Sequence, residues 1–126
     1  NSRVKYLRNS ISFLKNKKIS FSIQLAGNKE IKFLNKKFRK KSKSTDVLSF
    51  PYNNLNTLKK LKKQDIYLGD IILNYYKIKK KIFKENFNKL WIHGFLHLVG
   101  HKHKKNNDYY KMNKLEKLIF SKIQKK

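Results

Sequence analysis

The chain contains no cysteine, which excludes disulfides and thiolate metal ligands and is compatible with a reducing compartment. One proline and four glycines among 126 residues leave no proline- or glycine-rich break, so residues 1–126 are expected to form a single domain with its own core. No apolar run reaches 18 residues, so no membrane-spanning helix is expected. Arg3, Lys5 and Arg8 punctuate the first residues, which therefore lack a secretory pattern, and the expected location is cytoplasmic. Acids are scarce, 7 against 33 basic residues, and the formal charge of +26 favours a polyanionic partner. Arginine is scarce too. Arg3, Arg8 and Arg39 are the only three, which leaves thirty lysines beside abundant Asn, Ile, Phe and Tyr. This composition reads as AT-biased coding, so about half of the charge is assigned to lysine drift on solvated faces. With 39% hydrophobic and 13% aromatic residues, the chain is too apolar to be a disordered segment.

Periodicity supplies the elements. Val4, Leu7, Ile11 and Leu14 recur at helical intervals over 4–16. Residues 18–25 alternate, with Ile19, Phe21, Ile23 and Leu25 on one side, as in a half-buried strand. Gly27 and Asn28 break that strand, Asn28 is the expected cap, and Ile31, Leu34 and Phe38 describe a second helix. Residues 45–52 and 66–74 read as strands lying beside each other, with Gly69 marking a bulge or a close approach. The lysine-rich stretch 53–64 reads as a mobile connection. Helical periodicity then runs from about residue 75 to 99, with a possible break near 86–88, and a last helix capped by Asn107 carries the stripe Met112, Leu115, Ile119 and Ile123. The fold expected is α+β, a small mixed β-sheet covered by helices.

All four histidines fall in H-G-F-L-H-L-V-G-H-K-H, residues 93–103. On a helix, His93 and His97 project from one face. Gly100 stands where a helix commonly ends in a left-handed residue, which lets the chain turn His103 back toward the pair. Three neutral nitrogens with an open fourth position are the mark of a catalytic zinc site. A lone histidine on a half-apolar helix face is ordinarily a hydrogen-bonded core residue, and His-rich tracts can bind metal adventitiously. Here residue type and spacing agree, which favours a built site holding one Zn²⁺ per chain. His101 is the competing third ligand, and otherwise faces solvent or supports the site from behind. The spacing is similar to that of metzincin zinc peptidases, H-E-x-x-H-x-x-G-x-x-H, but Gly94 stands where those enzymes carry their glutamate base. Zinc can ionise water near neutral pH without a dedicated carboxylate, and phosphodiesters are suitable substrates. Asp46 and Asp70 read as structural carboxylates capping backbone amides. Thr45 and Ser49 are candidates either for phosphate contact or for satisfying the strand.

Four blocks together resemble the YbeY endoribonucleases, the rRNA maturation factors: L-N-K-K-F-R at 34–39, T-D-V-L-S-F-P at 45–51, L-G-D-I-I at 68–72, and the histidine block. The resemblance implies zinc ligation by His93, His97 and His103, and a catalytic role for Arg39 beside the metal. It implies an endoribonuclease specific for single-stranded RNA, acting on precursor rRNA and the small ribosomal subunit in 3′-end maturation and ribosome quality control. No DNA and no membrane partner is expected. Two positions depart from the family pattern. Lys102 replaces an aspartate beside the third ligand, removing an outer carboxylate, and Ser44 replaces a proline. The alternative reading is a noncatalytic zinc-stabilised ribosome-assembly factor that binds rRNA and ribosomal protein.

Overall fold

Apolar residues at alternate positions and an unbroken buried helix set the architecture of the computed structural model, which describes residues 11–14, 17–39, 45–78, 83–101 and 106–124. A 3₁₀ turn at Ser12–Leu14 precedes strand β1 (Lys18–Ala26), helix α1 (Asn28–Arg39), strand β2 (Val47–Pro51) and the short helix α2 (Leu55–Lys60). Strand β3 (Asp65–Asn74), a 3₁₀ turn at Tyr75–Lys77, helix α3 (Phe83–Leu98) and helix α4 (Asn106–Gln124) complete it. The sheet order is β1-β3-β2, with β1 parallel and β2 antiparallel to the central β3. The protein is thus α+β, with a small mixed sheet as its sequence leads one to expect.

Each sheet face has its own apolar cluster. On one face Ile19, Ile66, Leu68, Ile71 and Leu73 meet α3 and α4 through Ile92, Phe95, Leu96, Met112 and Ile119. On the other, Ala26 and Leu48 meet Ile31 of α1. Side chains as fully buried as Phe95, Leu96 and Ile71 each contribute about 1.5–3 kcal/mol relative to exposure. No helix among the described residues is long and apolar enough to cross a membrane.

The register between β1 and β3 steps from Ser20↔Tyr67 to Ser22↔Asp70, so β3 carries one extra residue where Leu68 and Gly69 lie. Gly69 there has φ +143°, and the carbonyl oxygen of Phe50 lies 2.3 Å from where a Cβ would stand. Both the bulge and the close approach expected at this glycine are present. Past the bulge, Asp70 turns away from the α3 side and accepts hydrogen bonds from Ser22 Oγ at 2.5 Å and from the Tyr67 hydroxyl. Those two donors, Ser22 first, hold its carboxyl below the usual carboxylate range. The sequence reading of Asp70 as a cap for backbone amides is corrected to a cap for two hydroxyls. Asp46 is exposed, and its backbone carbonyl accepts from the Asn74 amide at 2.8 Å.

Three boundary expectations also change. Residues 53–64 are not merely a connection. Asn54 caps α2 by accepting from the Thr57 amide at 2.8 Å, and Leu58 is buried under it, so one cap and one apolar anchor organise a segment whose composition is dominated by lysine. Helix α3 runs unbroken through 86–88, where buried Asn88 accepts from Trp91 Nε1 at 3.0 Å within the helix. Asn28 is the first residue of α1 rather than its cap, and its Oδ1 accepts from buried Asn74 Nδ2 at 2.6 Å. Asn74 Nδ2 also reaches the Thr45 carbonyl, tying the end of β3 to the entrance of β2. Of the helix expected over 4–16, residues 4–10, 15 and 16 lie outside the described residues.

Candidate metal centre

Between Trp91 and Val99 every residue of the chain is buried except His93 and His97, which are half-buried. The last turns of α3 therefore press into the core on nearly all sides and leave one polar window, made of two imidazoles four residues apart. Gly94 explains how the helix sits so deep. A Cβ at this position would lie 2.7 Å from Ile71 Cγ2, 3.1 Å from Ser49 Oγ and 3.2 Å from Val47 Cγ2. Ser49, buried on β2, donates to the Gly94 carbonyl at 2.9 Å, so its hydroxyl serves the helix–sheet contact. The position after the first histidine faces the sheet, away from the pair. A glutamate base of the peptidase kind has no room there. Gly94→Ala is expected to lower stability by about 1–3 kcal/mol through overpacking, read as a shifted denaturation midpoint; an unchanged midpoint would mean that the helix is not held as closely as described.

The helix ends as the glycine suggested. Gly100 has φ +96°, its amide donates to the His97 carbonyl at 3.1 Å, and the His101 amide donates to the Leu96 carbonyl at 2.9 Å. This is the paired hydrogen-bond pattern of a Schellman cap, with Leu55 of α2 packed 2.9 Å from where a Gly100 Cβ would be. The turn has a second result. It brings the His101 carbonyl to 2.8 Å from His97 Nδ1. The His101 imidazole is held below the ordinary histidine pKa, first by burial and then by Lys111, with Asp108 opposing. Of the roles expected for His101, the structure shows support of His97, through the backbone carbonyl.

His93 is engaged in the same sense. Its Nδ1 lies 2.6 Å from Oε1 of Glu116 on α4. A carboxylate and a backbone carbonyl have no hydrogen to give, so each Nδ1 carries the proton and donates it. In the neutral rings each Nε2 then carries a lone pair, and the two face each other at 3.1 Å. Two lone pairs so placed require a shared proton or a cation. Two nitrogens on one zinc at tetrahedral angles lie roughly 3.3–3.4 Å apart, so the pair fits that ion with little adjustment.

Among the described residues no group of three His, Cys, Asp or Glu side chains is placed to hold a metal. His103, the expected third ligand, lies outside the described residues, as does Lys102. Arg39 is the last residue of α1, and its side chain is likewise outside the description. The structure thus brings two of the sequence-derived ligands together. It adds Glu116, which sequence reasoning missed. The available signal was an acid set among Met112, Leu115 and Ile119 on the apolar stripe of the last helix, in a chain with only seven acids.

Fold and site define an α+β protein whose buried central helix presents a paired-imidazole centre suited to a divalent metal. Residues 3–124 match the family model described as Endoribonuclease YbeY. The chain is 45% identical over 132 residues to Endoribonuclease YbeY of Pelagibacter ubique, across 100% of this chain and 83% of that protein. Identity to Endoribonuclease YbeY of Thermodesulfovibrio yellowstonii is 32% over 140 residues, covering 97% and 85%. A solution structure of a Thermotoga maritima protein shares the fold at a TM-score of 0.55 and 20% identity, over 98% of this chain and 83% of that one. The chain belongs to the YbeY endoribonuclease family.

Proposed function

We propose that this protein is a zinc-dependent endoribonuclease that cleaves single-stranded RNA during ribosomal RNA processing. The observation that carries the reading is the facing pair of His93 and His97 Nε2 atoms at 3.1 Å, with an acceptor oxygen beside each Nδ1. The endoribonuclease name of the relatives supports the substrate class. His93, His97 and His103 hold one zinc ion. Once bound, the ion supplies a Lewis acid for a phosphodiester and the means to ionise water near neutral pH.

The chain's own residues supply the remainder. The buried flanks of α3 fix both imidazoles, so little reorganisation accompanies substrate binding. Arg39, at the end of α1, binds the phosphate through its planar fork and offsets charge that develops in the transition state. The lysine-rich surface attracts the polyanion without reading its sequence. The substrate proposed is precursor rRNA on the small ribosomal subunit, chiefly the 3′ end of the small-subunit rRNA, with ribosome quality control as a related duty and the cytoplasm as the location.

Arg39→Lys tests this division of labour. The variant is expected to keep zinc and fold, and to cleave a small-subunit precursor with a single-stranded 3′ tail about 10²-fold more slowly, the scale of one lost transition-state donor. Cleavage at the wild-type rate would remove Arg39 from the mechanism. Binding of the precursor without cleavage by the wild-type protein, with ribosomal subunits present, would favour the noncatalytic assembly factor.

A further inference from the structure

We propose that Glu116 is the positioning residue of the metal centre: its carboxylate holds the His93 proton on Nδ1 and so presents the Nε2 lone pair to the metal. The inference rests on the metal reading above and adds a residue of the C-terminal helix to it.

Three observations lead there. Glu116 points inward, with Met112 one turn before it and Ile119 nearly one turn after it both buried, and its side chain is 27% exposed. A carboxylate so placed forgoes much of its hydration and needs a strong partner. Its neighbours offer a choice. Glu116 lines a cleft with Lys89, Lys117, Asn113 and Phe120, yet among the described residues its ion pair is with His93 at 2.6 Å and not with either lysine. Lys89 instead pairs with Glu85 at 3.1 Å. The carboxylate thus takes the imidazole where cations stand nearby.

The two ligands also differ in what stands behind them. His97 donates to a neutral backbone carbonyl and His93 to a carboxylate. An anion behind an imidazole raises the basicity of the far nitrogen and fixes the ring plane, the arrangement seen behind metal-bound histidines generally. Glu116 therefore supplies from α4 a carboxylate of the kind that Lys102 removes from the stretch beside His103. It also links metal binding to the docking of α4 on α3.

The test uses the full chain as wild type, Glu116→Gln, Glu116→Ala and His97→Ala. Zinc affinity is measured by competition with a chromophoric chelator, and thermal unfolding is measured on the metal-free proteins. Imidazole ¹⁵N spectra of the metal-free proteins at mildly alkaline pH report which ring nitrogen of His93 bears the proton. Glu116→Ala is expected to weaken zinc binding about 10–100-fold and to move the His93 proton toward Nε2, the site preferred by an unconstrained neutral ring. Glu116→Gln keeps an acceptor oxygen without the charge and should fall between, with the proton still on Nδ1. Wild-type zinc affinity in both Glu116 variants, even with a lowered metal-free unfolding midpoint, would overturn the proposal and leave Glu116 as a helix staple. A His93 proton on Nε2 in the wild type would overturn it as well. Wild-type zinc binding no tighter than that of His97→Ala would instead defeat the metal reading on which it rests, and the metal-free spectra keep the two failures apart.

Discussion

His97→Ala is expected to leave the protein folded and to abolish RNA cleavage, with a loss of at least about 10³-fold. On the proposed mechanism, losing this imidazole would remove a ligand from the metal that activates water, and water away from a metal has a pKa some eight or nine units higher. The fold should survive because alanine is the best helix former and the half-buried ring belongs to the polar window of α3. The hydrogen bond to the His101 carbonyl is lost, at about 1 kcal/mol. Circular dichroism, zinc content and cleavage of a tailed precursor, measured on one preparation, check the expectation. Cleavage at the wild-type rate would remove His97 from the reaction and point to a contaminating nuclease.

The largest expected loss of stability follows Gly69→Ala, more than about 3 kcal/mol. At φ +143° an L side chain is strained before any contact is considered. The added Cβ would stand 2.3 Å from the Phe50 carbonyl oxygen, 2.9 Å from Leu98 Cδ2 and 3.0 Å from Pro51 Cα. Two of those atoms are backbone of the paired strand, where Pro51 lies opposite Gly69, so no rotamer change relieves the clash. The third belongs to the residue directly after His97, which makes this bulge part of the seat of the helix that carries the histidine pair. Urea unfolding reads the effect; a loss under 1 kcal/mol would show that the β2–β3 pair yields easily there.

The parts of this molecule legible in its sequence are those specified by neighbours along the chain. Alternation in β1 holds for Ile19, Phe21 and Ile23 but ends at Leu25, which is 47% exposed while Ala26 is buried on the other face. The helical pair His93 and His97 and the stop at Gly100 depend on residues within a turn or two and are found as expected. So is Gly69, because a glycine within an apolar strand has few other uses. The parallel pairing of β1 with β3 was not readable, since it joins segments 47 residues apart around α1, β2 and α2. Composition concealed α2, where Asn54 and Leu58 outweigh the surrounding lysines.

The site divides in the same way. Spacing along α3 pointed to the two facing imidazoles, whereas Glu116 reaches His93 from another helix 23 residues later, and no local pattern announces such a contact. The role of Gly94 changes in kind. In sequence it is only the missing base of a peptidase, but in three dimensions it is the contact that seats α3 on Ile71, Ser49 and Val47. Sequence spacing showed what reaction to doubt, and packing shows why the residue is small.

The most direct test of the central claim is cleavage of a small-subunit rRNA precursor with a single-stranded 3′ tail, before chelation, after removal of metal, and after zinc is restored. Cleavage that disappears with the metal and returns with zinc is the expected result. Cleavage that persists undiminished in the metal-free protein would contradict a metal-dependent mechanism built on His93 and His97.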